Sequence, residues 1–484
     1  MPGRPFSKIR SAAIDGRAQN PFFRRTKLKA LHEALAAHAA DIQNALRSDS
    51  GHTPAETKVE FWLALGLIAS TYNAISTDEV LDDEYRIARS VNAPNAREPV
   101  SIVLIEPAAH TFLYSLISAL APALGAGNCV IVQAERSMLT APTLVLKIVG
   151  EALGEDIFEV AHTPVAMSDV AYRHRRVMQN GCTGPLLFFY SVSDPQTKVV
   201  AIVERDADIE VAARTLVAAR TGLGGKSPYA PDLVLVNEWV KKAFLEAASR
   251  QLASLAEISA KDKPSRGAQS GLVKEALSEA TAHVVSSSSF GAVIDVKDRK
   301  SALLQNKVQE ATLLVHSVTS MDDAIDTTSR YGRLAAAYVF AAPSTAKYIA
   351  QFIETNSCFI NHLPPALLYG PVAPKDQPLN PASLGRYEDR HFTLPKAQFI
   401  DDLANKHSRI IEEALFQTSA KALAALDAEA TATLKETVRP KKGGDIGFFN
   451  QGIVTGGVIV LSTVLSGTGF LCYYLFRVAQ ASLQ

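Results

Sequence analysis

The sequence has no excess of charge in either direction: 49 Lys and Arg stand against 49 Asp and Glu over 484 residues, a formal net charge of zero. Proteins that hold nucleic acid through its phosphates usually carry a basic surplus, so nothing in the totals points to that partner. Cysteine is also scarce. The four cysteines, Cys129, Cys182, Cys358 and Cys472, form no C-x-x-C pair and no finger spacing, which excludes a zinc-ribbon module and a disulfide scaffold. They read as reduced thiols of an intracellular protein, with no metal expected. The basic N-terminus lacks the apolar core of a secretory signal and the sustained amphipathic stretch of a presequence. Internal repeats and low-complexity tracts are absent too. The length suits two or three domains with substantial cores.

Long uncharged runs are missing until the end of the chain. From Ile446 to Phe476 no residue is charged. Residues 453–476, "IVTGGVIVLSTVLSGTGFLCYYLF", would reach about 36 Å as a helix, enough to cross a hydrocarbon core of about 30 Å. Tyr473 and Tyr474 lie where an interfacial aromatic belt belongs, and Arg477 ends the run. Upstream stand Arg439, Lys441 and Lys442, which by the positive-inside rule places the large N-terminal part in the cytosol. The expectation is a single-pass, tail-anchored protein whose anchor is 446–477, with the endoplasmic reticulum as its membrane. Gly452 and Gly456 form a G-x-x-x-G, and Ser462 and Ser466 a second small pair, spacing that permits close helix approach.

Between the termini, helical and strand patterns alternate. Residues 24–78 carry helical stripes such as Leu28, Leu31, Leu35 and Ile42. Residues 79–98 read as a polar connector. "EPVSIVLIEP" (98–107) reads as one buried strand, followed by a helix ending at Gly125 and Gly127, a strand at 129–133 and another helix. Helix 206–220, strand 232–236, helix 240–255 and a further strand, helix and strand come later. This alternation predicts an α/β protein with a parallel, doubly wound sheet. A polar, alanine-rich helical segment, 404–436, leads to the anchor.

One stretch invites a nucleotide reading: "TGLGGKSPYAPDLVLV", 221–236, puts three glycines ahead of Lys226 and Ser227. A P-loop needs a glycine five residues before Gly225, where Arg220 stands, and it follows a strand and opens a helix. Here a helix precedes, Pro228 follows and a strand comes next. It is a connecting loop.

The order of pieces resembles the aldehyde dehydrogenase superfamily over about residues 24–400, nearest its membrane-anchored fatty-aldehyde branch. "EPVSIVLIEP" with "SALAPALGAGNCVIV" looks like the family's first cofactor-domain β-α-β unit. "VERDADIEVAARTL" is similar to the helix entering the catalytic domain, and "APDLVLV" to the strand after the catalytic-cysteine loop. "SVTSMDDAI", "LAAAYVFA" and "SLGRYEDRHF" resemble later landmarks. The resemblance implies an aldehyde dehydrogenase fold: N-terminal helices and a Rossmann-like cofactor-type domain over 1–205 (79–98 as bridging part), a catalytic-type α/β domain over 206–375, a bridging and dimerisation segment over 376–403, a helical linker over 404–445 and the anchor. It also implies NAD or NADP as cofactor and a homodimer, or a heterodimer with an active relative.

The family's functional positions have changed. An aldehyde dehydrogenase attacks its substrate with a thiolate; the resemblance puts Pro228 at that cysteine, and proline offers neither a nucleophile nor a backbone N–H for an oxyanion. The oxyanion asparagine falls on Ala109, preceded by Ala108. The cofactor-ribose lysine falls on Gln133, the glutamate that orients the nicotinamide ribose on Lys307, and the general-base glutamate on Asp194. "CTGP" (182–185) stands for the turn at the cofactor helix, with Gly184 at its glycine. The segment that follows is roughly a dozen residues shorter than the family's, which would remove the helix N-terminus that faces the cofactor pyrophosphate.

Cys182 is the one thiol available as a displaced nucleophile, a role that needs a lowered pKa. Cys129 and Cys358 read as core, and Cys472 sits in the span. His110 follows Ala109 and reads as a packing or surface histidine unless a partner faces it. "RHRR" (173–176) reads as a solvated basic face. The leading expectation is a membrane-anchored aldehyde dehydrogenase-like protein, impaired or redirected in catalysis, with a bound apolar ligand or partner. The alternatives are an active NAD(P)-dependent oxidoreductase acting on fatty or other apolar aldehydes, and a non-catalytic partner subunit of an active aldehyde dehydrogenase.

Overall fold

A computed structural model describes residues 5–89, 96–170, 172–182, 190–258, 271–375, 377, 379–380, 385–396, 406–435 and 448–481. The chain forms two compact units, residues 1–401 and 402–484.

The first unit begins with helices. Asn20 caps Pro21–Ala37 by accepting from the N–H groups of Phe22 (2.9 Å) and Phe23 (3.2 Å), and Leu28, Leu31 and Leu35 form its buried stripe. Thr53 and Glu56 form a reciprocal capping box at the start of Pro54–Ala74. That helix is inverted in polarity. It buries Thr57, Glu60, Ala64, Ile68 and Thr71 and turns Val59 and Trp62 outward. The polar connector expected over 79–98 is helical over Thr77–Ala88; Asp78 and Glu79 in its first turn suit the positive end of the helix dipole.

The expected single strand at 98–107 is two. Ser101 sits at φ 92°, with its N–H donating to Asn128 Oδ1 at 2.8 Å. This left-handed residue turns Arg97–Pro99 away to pair antiparallel with Thr393–Pro395. Beyond it begins a five-stranded parallel sheet: β1 (Ile102–Glu106), β2 (Cys129–Gln133), β3 (Phe158–Ala161), β4 (His174–Met178) and β5 (Tyr190–Val192). Its spatial order is β3-β2-β1-β4-β5. β1 and β2 are almost wholly buried, as strands covered on both faces must be.

A second sheet holds β6 (Val199–Val203), β7 (Leu233–Asn237), β8 (Ala282–Ser287), β9 (Ala292–Val296), β10 (Thr312–Val318), β11 (Ala336–Phe340) and β12 (Cys358–Ile360), in the order β12-β11-β6-β7-β10-β9-β8. Only the β8–β9 pairing is antiparallel. β6 lies inside the 1–205 stretch assigned by sequence to the first domain, so the sheets change over between 192 and 199.

In the second unit, the alanine-rich segment is two helices, Lys406–Phe416 and Ala420–Ala430, broken at Thr418, φ 46°, and tied by His407 to Glu429 at 2.8 Å. The last helix runs Phe448–Ala481. Its stretch Gln451–Tyr473 is long and apolar enough to cross a membrane. Hydroxyls of Thr455, Ser462, Thr463 and Thr468 return to backbone carbonyls of their own helix, as polar groups in such a segment must.

Candidate active site

Three segments converge where the resemblance puts the reacting thiol: the loop 222–230, the loop 107–111 and the start of helix Pro54–Ala74. Helix Ile209–Thr221, capped by Asp208, ends in three successive left-handed residues, Leu223 (φ 52°), Gly224 (φ 64°) and Gly225 (φ 72°). The Leu223 N–H donates to Glu56 Oε1 at 2.6 Å. The chain then drops Pro228 and Tyr229 into the interior. The carbonyl of Tyr229 accepts from the Tyr338 hydroxyl at 2.9 Å, its own hydroxyl accepts from the Ala373 N–H at 2.9 Å, and the Arg386 guanidinium lies 4.9 Å over its ring.

Pro228 is held as firmly. The buried Lys307 ammonium donates to the carbonyls of Pro228 (2.8 Å) and Thr197 (2.9 Å) and pairs with Asp232 Oδ2 at 3.2 Å. Asp232 also accepts from the Val199 N–H at 2.9 Å, and Arg220 Nη1 lies 3.6 Å from its Oδ1. Lys198 completes the group, donating to the Asn306 carbonyl at 2.5 Å. Burial pulls its pKa down to about 8, against the attraction of Asp232. Burial likewise lowers Lys307. The position that the resemblance assigns to the nicotinamide-orienting glutamate is thus a cation bonded to the loop 222–230.

In the loop 107–111, the Ala108 N–H donates to Gln179 Oε1 at 2.9 Å, and Gln179 Nε2 donates to the Ser115 carbonyl at 2.9 Å. Ala109 is exposed and carries no side-chain amide to offer an oxyanion. His110 is half-buried, with Nε2 3.0 Å from the Leu368 carbonyl. A carbonyl only accepts, so Nε2 carries the proton and Nδ1 of the neutral ring keeps its lone pair. The His52 ring stands 6.4 Å away at 71°. Burial lowers the pKa of His110 to about 4, helped by His52 and Lys226, and lowers His52, with Glu56 opposing and Lys226 assisting. His110 therefore has partners, contrary to a lone packing role, and Lys226 is brought up to it.

The remaining sequence candidates are accounted for one by one. Gln133 Oε1 accepts from the Val165 N–H (2.9 Å) and from Arg176 Nη2 (3.4 Å). Asp194 accepts from the Gln196 N–H at 2.9 Å and is half-buried, within electrostatic reach of Lys307. Gly184 lies outside the described residues. Cys182 is half-buried. Burial raises the Cys129 thiol to about 12 and Cys358 to about 11, leaving both protonated and inert. The basic run 173–176 is not a solvated face: Arg173 pairs with Glu98, Arg176 pairs with Glu106, and Arg175 donates to the His391 carbonyl. No group of three His, Cys, Asp or Glu that could hold a metal occurs among the described residues.

Gln133 and Lys307 spend their polar atoms on the protein itself. The connection from β4 to the adjacent parallel β5 is residues 179–189 alone, short for a crossover that needs a dozen or more residues to carry a helix.

Two α/β layers, the first in the β3-β2-β1-β4-β5 order of dinucleotide folds, define the class of protein. Residues 10–186 match the model of the aldehyde dehydrogenase family. Among solved structures, the substrate-bound AldH of Staphylococcus aureus superposes with a TM-score of 0.64 at 18% identity, covering 83% of this chain and 94% of that one. An NAD-dependent benzaldehyde dehydrogenase from Corynebacterium glutamicum gives 0.60 at 15%, covering 83% and 88%. The glyceraldehyde-3-phosphate dehydrogenase GapN from Methanocaldococcus jannaschii DSM 2661, complexed with NADP, gives 0.56 at 14%, covering 74% and 84%. No curated protein matches the sequence significantly. Residues 10–186 thus carry the sequence pattern of the aldehyde dehydrogenase family, and the first unit has the fold of its solved members.

Sequence reasoning missed His52, Glu56 and Glu60. The T-x-x-E spacing of Thr53 and Glu56 could have placed Glu56 at a helix start. Nothing in the sequence sets His52 beside His110, 58 positions on.

Proposed function

We propose that this protein is a membrane-anchored member of the superfamily in which the oxidoreductase site has been converted from hydride transfer to binding of an apolar ligand. The observation that carries the reading is Pro228 at the thiol position, its carbonyl fixed by Lys307. A thiol loop must leave its nucleophile free and present N–H donors to the developing oxyanion; here the residue has neither, and the glutamate position supplies the cation that locks it. The displaced-thiol alternative rests on Cys182, which would have to work without the family's cofactor contacts at Gln133 and Lys307. The apolar helix Gln451–Tyr473 supports an anchor in a membrane, with the large unit on the cytosolic side by the basic residues that precede it. The test is calorimetric titration of the purified full chain in lipid nanodiscs with NAD and NADP, alongside NADH formation from a medium-chain aldehyde. No binding and no turnover are expected; micromolar binding of either nucleotide with turnover overturns the reading.

A further inference from the structure

We propose that His52, His110 and Lys226 form a head-group site for the carboxylate of an apolar acid. The inference rests on the reading that the former thiol site now binds and does not oxidise. The three side chains come from separate segments and are graded from solvent inward: Lys226 is exposed, His110 half-buried and His52 only 7% exposed. His52 Nδ1 is buried and finds no hydrogen-bond partner among the described residues. Such an orphan is destabilising unless something fills the role. Lys226 sets a positive potential on both rings.

The charged and titratable groups facing the two rings are each other, Lys226 and Glu56. Glu56 is the one anion among the described residues, and its oxygens accept from the Leu223 N–H and from the N–H and hydroxyl of Thr53. It opposes Lys226 at His52 but makes no hydrogen bond to His52 Nδ1. An incoming carboxylate pairs with Lys226 and supplies the acceptor that lets a buried imidazole hold a proton. The apolar part of the ligand is assigned to the helix Pro54–Ala74, which starts two residues after His52 and turns Val59 and Trp62 outward.

The chemistry makes binding proton-coupled. Burial and Lys226 keep the rings neutral in the free protein, and the bound carboxylate reverses that balance. Where the free ring is neutral and the bound ring charged, one proton enters with each ligand, and affinity rises tenfold for each unit that pH falls.

The test uses the full chain in nanodiscs, with empty nanodiscs as reference, titrated with octanoate and with 1-octanol at pH 7.5, 6.5 and 5.5 in two buffers of different ionisation enthalpy. Octanoate is expected to bind with uptake of about one proton and to tighten about tenfold per pH unit, while 1-octanol shows no saturable binding. Lys226→Met, an exposed position that leaves the fold intact, weakens octanoate at least tenfold; His110→Gln removes the pH dependence. Equal binding of acid and alcohol, a flat pH profile, no binding of octanoate, or an unaffected Lys226→Met variant overturns the site. NAD(P) binding with turnover overturns the underlying reading instead, so the two failures are distinguishable.

Discussion

The ammonium of Lys307 donates to the carbonyl of Pro228 at 2.8 Å while pairing with Asp232 at 3.2 Å. This couples two positions 79 residues apart in the chain. A buried charge that loses its partner is expensive, about 3–5 kcal/mol. Lys307→Met removes the cation and leaves Asp232 with Arg220 at 3.6 Å. A fall in thermal midpoint of several degrees is expected by scanning calorimetry. An unchanged midpoint would show that the lock holds nothing together.

Because the loop is built around Pro228, returning the nucleophile alone does not return the reaction. In Pro228→Cys the thiol enters a buried position beneath Lys307, with Ala109 still unable to donate and Gln133 still tied to Val165. No NADH absorbance is expected from the variant with aldehyde and NAD. Steady NADH production would mean that the cofactor contacts survive in another form.

The scaffold was legible in the sequence because it is written in local patterns. Runs such as "IVLIE" and "CVIVQ" can only be strands buried on both faces, and the failed P-loop spacing at Arg220 removed a false nucleotide site. The break at Ser101 was not legible, since a positive φ at a serine depends on Asn128 reaching it from 27 positions away. The acidic run 77–88 looked like a connector because its charges hid a helix with a good N-terminal dipole match. At the site, the partners that surround Gln133 and Pro228 could not be read from the sequence. Lys307 meets Pro228 across 79 positions, and Glu56 meets Leu223 across 167; pairings of that kind exist only in the fold.

Glu60 provides a pH signature. It is buried, its Oε1 accepts from the N–H groups of Leu113 (3.0 Å) and Tyr114 (3.4 Å), and burial raises its pKa to about 7. The unfolded carboxyl titrates near 4.5. Between those values the native state holds a proton that the unfolded state has lost, so stability falls as pH rises from about 4.5 to about 7, by at most about 1.4 kcal/mol per unit. Glu60→Gln keeps the acceptor without the charge. Chemical denaturation across pH 5–8 should give a flatter profile for the variant and a gain at pH 8; parallel profiles would remove Glu60 as the source.

The span is tested by removal. Deleting 446–484 takes away Gln451–Tyr473 and leaves the first unit intact, so the protein should move from the carbonate-resistant membrane pellet to the soluble fraction. Retention in the pellet would contradict the anchor.

The glycines before Lys226 are argued best by comparing two neighbours. Both Gly224 and Gly225 hold left-handed backbone, φ 64° and 72°, so alanine at either carries a conformational cost of about 1 kcal/mol or more. Their surroundings differ. A Cβ on Gly224 meets nothing within 4 Å, whereas one on Gly225 would lie 2.3 Å from the carbonyl carbon of Glu310 and 2.4 Å from the nitrogen of Ala311. That neighbour is backbone entering β10 and cannot swing aside. Gly225→Ala must push the loop off the second sheet, adding an overpacking cost of about 1–3 kcal/mol and disturbing the Leu223–Glu56 bond on one side and the Pro228–Lys307 bond on the other. Gly224→Ala should lower the thermal midpoint slightly and leave ligand binding alone; Gly225→Ala should lower it by much more and weaken binding with it. Equal effects at the two positions would mean that the glycines serve backbone freedom only. Unequal effects in this order make the "GLGGKS" stretch a packed hinge between Glu56 and Lys307.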